Sequence, residues 1–216
     1  RIRRIGYGES VLEEYLECCK KYNKCKRGTT MEIENFFKEI PVLETERLLL
    51  RKITLDDVDD LFEIFSDLQI TDSTTLEVNK TKADTLNKFI KVVAKRHEEG
   101  QSVDWAIVLK ESGKVIGNCA FIGWSNRHSK AEIGYVLNKA YWGKGFATEA
   151  LNELIRFGFD VIGLNRIEGG CDIDNYGSEK VMLKVGMQYE GTLRKNEFIK
   201  GEFRDTKVFA MLKEDY

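Results

Sequence analysis

Gly143-Lys-Gly145 is the point in this 216-residue chain where the backbone itself is poised for chemistry. Glycine permits conformations barred to other residues, so two of them two positions apart let the chain curl tightly. The helical pattern that follows leaves the N–H groups of its first turn without intrahelical acceptors. Curl and helix start together make a cradle for an anion, most naturally a phosphate. Three readings compete for it. Gly143-Lys-Gly145-Phe-Ala-Thr148 is a fragment of the dinucleotide fingerprint, but it lacks the third small residue and does not open a run of βαβ units. A P-loop needs Gly-Lys-Ser/Thr, and Gly145 follows Lys144, so that reading fails. A helix that simply begins with two glycines fits the turn, taken alone, equally well.

Other chemistries are narrowed by what the chain lacks. His97 and His128 are its only histidines, which leaves little from which to build His-based catalysis or a metal site. Five scattered cysteines argue against a disulfide framework. Cys18, Cys19 and Cys25 cluster without a Cys-x-x-Cys pair or a nearby histidine, so no metal is expected. A net charge of −2 gives no broad attraction to nucleic acid. No apolar run approaches the roughly 20 residues of a membrane span, and Arg1-Ile-Arg-Arg has no apolar core behind it. The expectation is a cytoplasmic protein with neither membrane nor nucleic acid as partner.

The elements that must position the turn follow from periodicity. Ser10-Val-Leu-Glu13 is a capping-box pattern, and Val11, Leu12, Tyr15, Leu16 and Cys19 share one face, predicting a helix over 10–26. Met31 begins a segment suited to a protein start, so residues 1–30 are read as an N-terminal helical extension and 31–216 as the main domain. The extension's apolar face has two candidate docks, the domain itself or a second copy in a homodimer. Pro41 to Arg51 is β-rich; Thr54-Leu-Asp-Asp57 and Thr81-Lys-Ala-Asp84 each cap an amphipathic helix. Strands are predicted over 103–110, 115–124 and 131–137, then a helix from Gly145, a strand over 166–173, a helix over 175–185 and a hairpin of 187–193 with 203–212.

Three segments carry a family resemblance. Glu132-Ile-Gly-Tyr-Val-Leu137 followed by Trp142-Gly-Lys-Gly-Phe-Ala-Thr-Glu-Ala-Leu151 resembles the acetyl-coenzyme A motif of the GNAT N-acetyltransferases, in the branch that acetylates ribosomal-protein N-termini. Gly145 and Ala147 match the motif's small residues, and Trp142 stands where Arg or Gln is usual. Asn175-Tyr-Gly-Ser178 with Lys184-Val-Gly-Met187, and Gly191 to Asp205, are similar to two further family segments in the same order. The resemblance spans roughly Val42 to the C-terminus. It implies an α/β GNAT fold: a mixed, mostly antiparallel sheet of about seven strands flanked by helices, splayed between the fourth and fifth. It also implies an acetyl-coenzyme A-dependent acyltransferase acting on a primary amine.

Roles follow residue by residue. Backbone N–H groups of Trp142, Gly143, Lys144, Gly145, Phe146, Ala147 and Thr148 are expected to hold the coenzyme's pyrophosphate. An N–H at Val136 or Leu137 is expected to polarise the thioester oxygen. Glu132 occupies the place of the general base in histone-acetylating relatives, with an exposed strand carboxylate as the alternative. Asn175 and Ser178 match positions near the pantetheine arm or sulfur, with helix capping as their other role. Many relatives carry a tyrosine as thiolate acid seven residues after this asparagine; here the residue is Met182, which leaves Ser178, water or no acid. Tyr135 is read as core, with the acceptor side as alternative. The acceptor site is expected from the loop 67–79 and the hairpin 196–204, whose Asp72, Glu77, Glu197 and Glu202 suit a cationic amine. An α-amine, with a reference pKa near 7.7–8.0, deprotonates more readily than a lysine near 10.4, so a protein N-terminus is preferred. A polyamine or aminoglycoside, and a non-catalytic coenzyme-binding module, are the alternatives.

Overall fold

The computed structural model describes residues 40–72 and 74–216. The predicted N-terminal extension, its helix over 10–26 and the cysteine cluster lie outside the described residues. Among these residues eight strands form one sheet, in the order β1-β2-β3-β4-β5-β6-β8-β7. They are β1 (Leu43–Glu44), β2 (Leu48–Lys52), β3 (Val103–Leu109), β4 (Val115–Ser125), β5 (Lys130–Leu137), β6 (Arg166–Asp172), β7 (Gln188–Ile199) and β8 (Glu202–Leu212). Every neighbouring pair is antiparallel except β5 and β6. The eighth strand arises because the β-rich run from Pro41 turns at Thr45, whose N–H bonds the Leu48 carbonyl at 3.0 Å, and so folds back on itself as β1 and β2.

Two helical layers cover the sheet. On one face lie α1 (Val58–Phe65) and a helical run over 82–98, in which a π-helical turn (Thr85–Ile90) leads into α2 (Lys91–Glu98). Both predicted capping boxes are present. Asp57 accepts from Thr54 N–H at 2.8 Å, and Asp84 and Thr81 exchange bonds of 3.0 and 3.1 Å. On the other face lie α3 (Phe146–Arg156) and α4 (Tyr176–Lys184). The sheet therefore has two cores. Leu61, Ile64, Phe65, Ile90 and Val93 pack over Ala106 and Val108 under α1 and α2. Trp105, Phe121, Ile133, Leu151, Leu154, Ile167 and Phe209 form the larger cluster under α3 and α4. β3, buried along nearly its whole length, reads as a continuous apolar run because both its faces are covered.

The terminal hairpin is longer than its sequence suggests. β7 runs on through Ile199 and turns at Lys200-Gly201, because register shifts at 189–191 and 193–197 absorb residues that break the strand pattern. Such irregularities leave no trace in the alternation from which the strand was predicted.

Candidate active site

β5 and β6 run side by side for three residues only, pairing Lys130 with Arg166, Ala131 with Ile167 and Glu132 with Glu168. Beyond Glu132 they part, and the sheet opens between them. On its other edge β5 stays paired with β4 as far as Leu137 opposite Gly117. A Cβ at Gly117 would meet the Val136 carbonyl at 2.3 Å, so glycine is what lets β4 hold β5 this closely.

Ladder alternation decides which groups face the opening. Asn138 N–H bonds the Ile116 carbonyl at 2.8 Å, so Asn138 is a hydrogen-bonded position of the β4–β5 ladder. Main-chain groups of an antiparallel strand point alternately to its two neighbours. Val136 and Gly134 therefore face β4, while Leu137, Tyr135 and Ile133 turn their N–H groups into the gap. Of Val136 and Leu137, the two expected oxyanion donors, only Leu137 has its N–H turned to the gap. The Leu137 carbonyl is held by Trp142 Nε1 at 2.7 Å, which folds the chain after β5 back over the mouth of the gap.

At that mouth sits the glycine turn. Gly143 and Gly145 have φ of 72° and 83°, left-handed values at which other residues are strained. Phe146 and Ala147 are buried and anchor the turn, whereas Trp142, Gly143, Lys144 and Gly145 are exposed. A Cβ on Gly143 would meet nothing within 4 Å, so the chain's left-handed φ and not crowding is what calls for glycine there. Lys144 Nζ bonds the Ala140 carbonyl at 2.8 Å, so its ammonium is tied back along the chain. Thr148 lies in the first turn of α3 with Glu149.

A clamp absent from the sequence reading fixes this turn. Glu149 accepts from Thr45 Oγ1 at 2.5 Å, Arg47 N–H at 2.9 Å and Arg47 Nε at 2.6 Å. Arg47 also donates to the Lys144 carbonyl at 3.2 Å and lies 4.3 Å from the centre of the Phe146 ring. Burial alone would raise the Glu149 pKa, but the bonds from Thr45 and Arg47 outweigh it and hold the carboxyl below the usual range. The partners are about a hundred residues apart in sequence, and no local pattern announces them.

The two faces of β5 carry different chemistry. Cross-strand neighbours share a face, so the pairs Glu132–Ile122, Gly134–Ala120 and Ala120–Asp104 put Glu132 and Asp104 on the side of α1 and α2. Burial pushes the Glu132 pKa up, and repulsion from Glu168 and Glu197 adds to it, while Lys130 opposes. Glu168 itself is tied to Lys130 at 2.9 Å and Arg166 at 2.7 Å. Asp104 is pushed up to about 6 by burial, offset by the Ser102 hydroxyl at 2.7 Å and by Arg96. The loop 67–79 and the terminal hairpin meet on this side: Lys200 Nζ donates to the Thr71 carbonyl at 2.8 Å and lies 3.6 Å from Asp72.

On the opposite face Tyr135 points toward α4, with its hydroxyl 2.9 Å from Ser178 Oγ. Asn175 caps α4 by accepting from Ser178 N–H at 3.0 Å. Met182 is buried against Gly169. Tyr135 is thus partly buried beside the larger core, on the face of the sheet away from Glu132. The strand's alternation was legible; that its odd face meets Ser178 was not, because this depends on how α4 docks.

An open sheet with one parallel pair that parts beside a glycine-rich helix start defines an acyltransferase fold built around a coenzyme arm. Comparison with known proteins agrees: residues 47–188 match the acetyltransferase (GNAT) domain family. An uncharacterized N-acetyltransferase, p20 of Bacillus licheniformis, is 38% identical over 174 residues, covering 81% of this chain and 97% of that protein. The crystal structure of a GNAT-family acetyltransferase from Bacillus anthracis superposes with a TM-score of 0.69 at 30% identity, covering 80% of this chain and 99% of that one. A ribosomal-protein-serine acetyltransferase of Escherichia coli is 31% identical over 106 residues, covering 49% of this chain and 59% of that protein. The chain belongs to the GNAT acetyltransferases, enzymes that use acetyl-coenzyme A as acyl donor. Among the described residues no helix is long and apolar enough to cross a membrane.

Proposed function

We propose that the protein moves the acetyl group of acetyl-coenzyme A to a primary amine, preferably the α-amine of a protein N-terminus. The observation that carries this reading is the parting of β5 and β6 after Glu132 and Glu168, directly beside the Gly143–Gly145 turn. The residues present suit the coenzyme. N–H groups from Gly143 to Thr148 would hold the pyrophosphate, whereas that of Trp142, also expected there, is spent on the Lys139 carbonyl at 3.1 Å. The gap-facing edge of β5 would bond the pantetheine arm as a strand does, with Asn175 and Ser178 flanking it from α4. Leu137 N–H polarises the thioester oxygen.

The amine enters from the α1 and α2 face. Glu132 takes its proton, directly or through one water. Its raised pKa brings this carboxylate nearer to neutrality, where a general base is most effective. Nitrogen attacks the carbonyl carbon, the C–S bond breaks with its electron pair on sulfur, and the second proton that the new amide nitrogen must lose passes to water. Glu132 and Glu197 favour a cationic acceptor, which an α-amine is before it surrenders its proton. The similarity to a ribosomal-protein-serine acetyltransferase supports the choice of a protein N-terminus.

Calorimetric titration with acetyl-coenzyme A tests the donor, and thiol release with a panel of peptides, polyamines and aminoglycosides tests the acceptor. Micromolar binding with turnover confined to peptides of free N-terminus is expected. Turnover on polyamines alone overturns the acceptor, and absence of binding overturns the whole reading.

A further inference from the structure

We propose that Tyr135 positions the group that meets the departing sulfur: its hydroxyl donates to Ser178 Oγ and thereby directs the serine's own O–H into the gap between β5 and β6. The inference rests on the acyl-transfer reading above. It begins from Met182, which is buried and has no proton to offer at the position where the family resemblance implies a tyrosine. Tyr135 reaches the same region from the opposite wall. Its main chain faces the gap while its side chain stands on the α3 and α4 face of the sheet, where its oxygen is 2.9 Å from Ser178 Oγ. Ser178 is held twice, by this contact and by the Asn175 cap on its N–H at 3.0 Å.

A serine hydroxyl has one proton and two acceptor sites. If Ser178 spent its proton on Tyr135, it would have none for sulfur; with Tyr135 as donor, the proton is free for the gap. Burial pushes the Tyr135 pKa up to about 12, only partly offset by Ser178, so the phenol stays protonated and keeps donating. The neighbouring charges leave this unchanged. Cys171 is pushed up by burial to about 11, so it stays a neutral thiol, and Glu179 is paired with Lys207 at 2.8 Å. A phenol of this kind does not surrender its proton to a thiolate whose conjugate acid has a reference pKa near 8.5. Tyr135 is therefore a positioning residue. The C–S bond breaks, the pair remains on sulfur, and Ser178 stabilises it by a hydrogen bond. The amine's proton leaves by Glu132 on the other face, and the thiolate takes its own proton from water after release.

The test is a double-mutant cycle on the full chain. Tyr135→Phe is expected to lower kcat about tenfold, with the KM for acetyl-coenzyme A within twofold of wild type. Ser178→Ala is expected to do the same, and the double variant to match Ser178→Ala alone. The preference for coenzyme A over desulfo-coenzyme A, read by calorimetry at pH 8.5, falls at least threefold in both single variants; a purely structural role would leave it unmoved. Tyr135→Met, with an adaptable apolar side chain, serves as a second variant should Tyr135→Phe fail to fold. Losses that multiply in the double variant, a loss carried by KM, or wild-type turnover in both Tyr135 variants overturns the proposal. Any of these with acetyl-coenzyme A binding intact leaves the acyl-transfer reading standing, whereas loss of binding in the wild type removes both.

Discussion

The two faces of β5 are built on opposite electrostatic terms. Toward α1 and α2 the strand and its neighbours carry carboxylates, Glu132 and Asp104, both raised in pKa first by burial. Toward α3 and α4 they carry neutral hydroxyls, Tyr135 and Ser178, bonded to one another. A half-buried carboxylate is a base in waiting, because the protein holds its charge at a cost that accepting a proton relieves. A pair of partly buried neutral hydroxyls neither gains nor loses charge and can only direct hydrogen bonds. In the proposed mechanism one strand thus separates proton removal from leaving-group stabilisation, and its period of two puts the two sets of residues on opposite faces.

The sharpest way to separate the faces is through stability. A carboxyl whose folded pKa is raised stabilises the fold fully below its unfolded pKa, and that contribution is lost as pH rises through the folded value. For Asp104 the window runs from the ordinary aspartate range to about 6, and the loss is roughly 3 kcal/mol. Asp104→Asn should therefore gain stability relative to wild type between pH 4.5 and 7.5 by about 2 kcal/mol in urea unfolding, the rest of the loss falling below pH 4.5. A gap between the two proteins that is identical at both pH values would refute it.

Next in size is turnover. Glu132→Gln should lower kcat about 100-fold, the usual scale of general-base catalysis, with acetyl-coenzyme A affinity unchanged. In the wild type the acidic limb of the pH–rate profile should lie above the ordinary glutamate range and vanish in the variant. Unchanged turnover from pH 6 to 9 would make Glu132 a bystander. Gly145→Val forces a β-branched residue into φ of 83°, at about 1–2 kcal/mol, so acetyl-coenzyme A should bind about tenfold more weakly. The acceptor KM should stay put, and calorimetry against steady-state kinetics distinguishes the two. Smallest is Lys200→Ala, which unties the terminal hairpin from the Thr71 carbonyl. A partly exposed charged bond of this kind is worth a few-fold, so the acceptor KM should rise about threefold while donor binding holds. If donor binding weakens instead, the division between the faces is wrong.

How much of this was legible follows from the range of the forces involved. The capping boxes at Thr54 and Thr81, the alternation of β3 to β5 and the glycine turn are local. Each is set by residues within a few positions of one another, and the element order of the fold could be read from them. The contacts between Glu149 and Arg47, Lys200 and Thr71, and Tyr135 and Ser178 join residues 102, 129 and 43 positions apart. No periodicity encodes them.

The sequence by itself therefore determined the half of the protein proposed to hold the coenzyme: a strand, a curl and a helix start, whose main-chain path depends on the two glycines at left-handed φ rather than on long-range contacts. Only the tertiary structure decided which edge of β5 opens, which main-chain groups face the gap, and which hydroxyl stands over Ser178. Those depend on where β6 leaves β5 and how α4 docks, and docking is fixed by packing across the whole core rather than by any one stretch of chain.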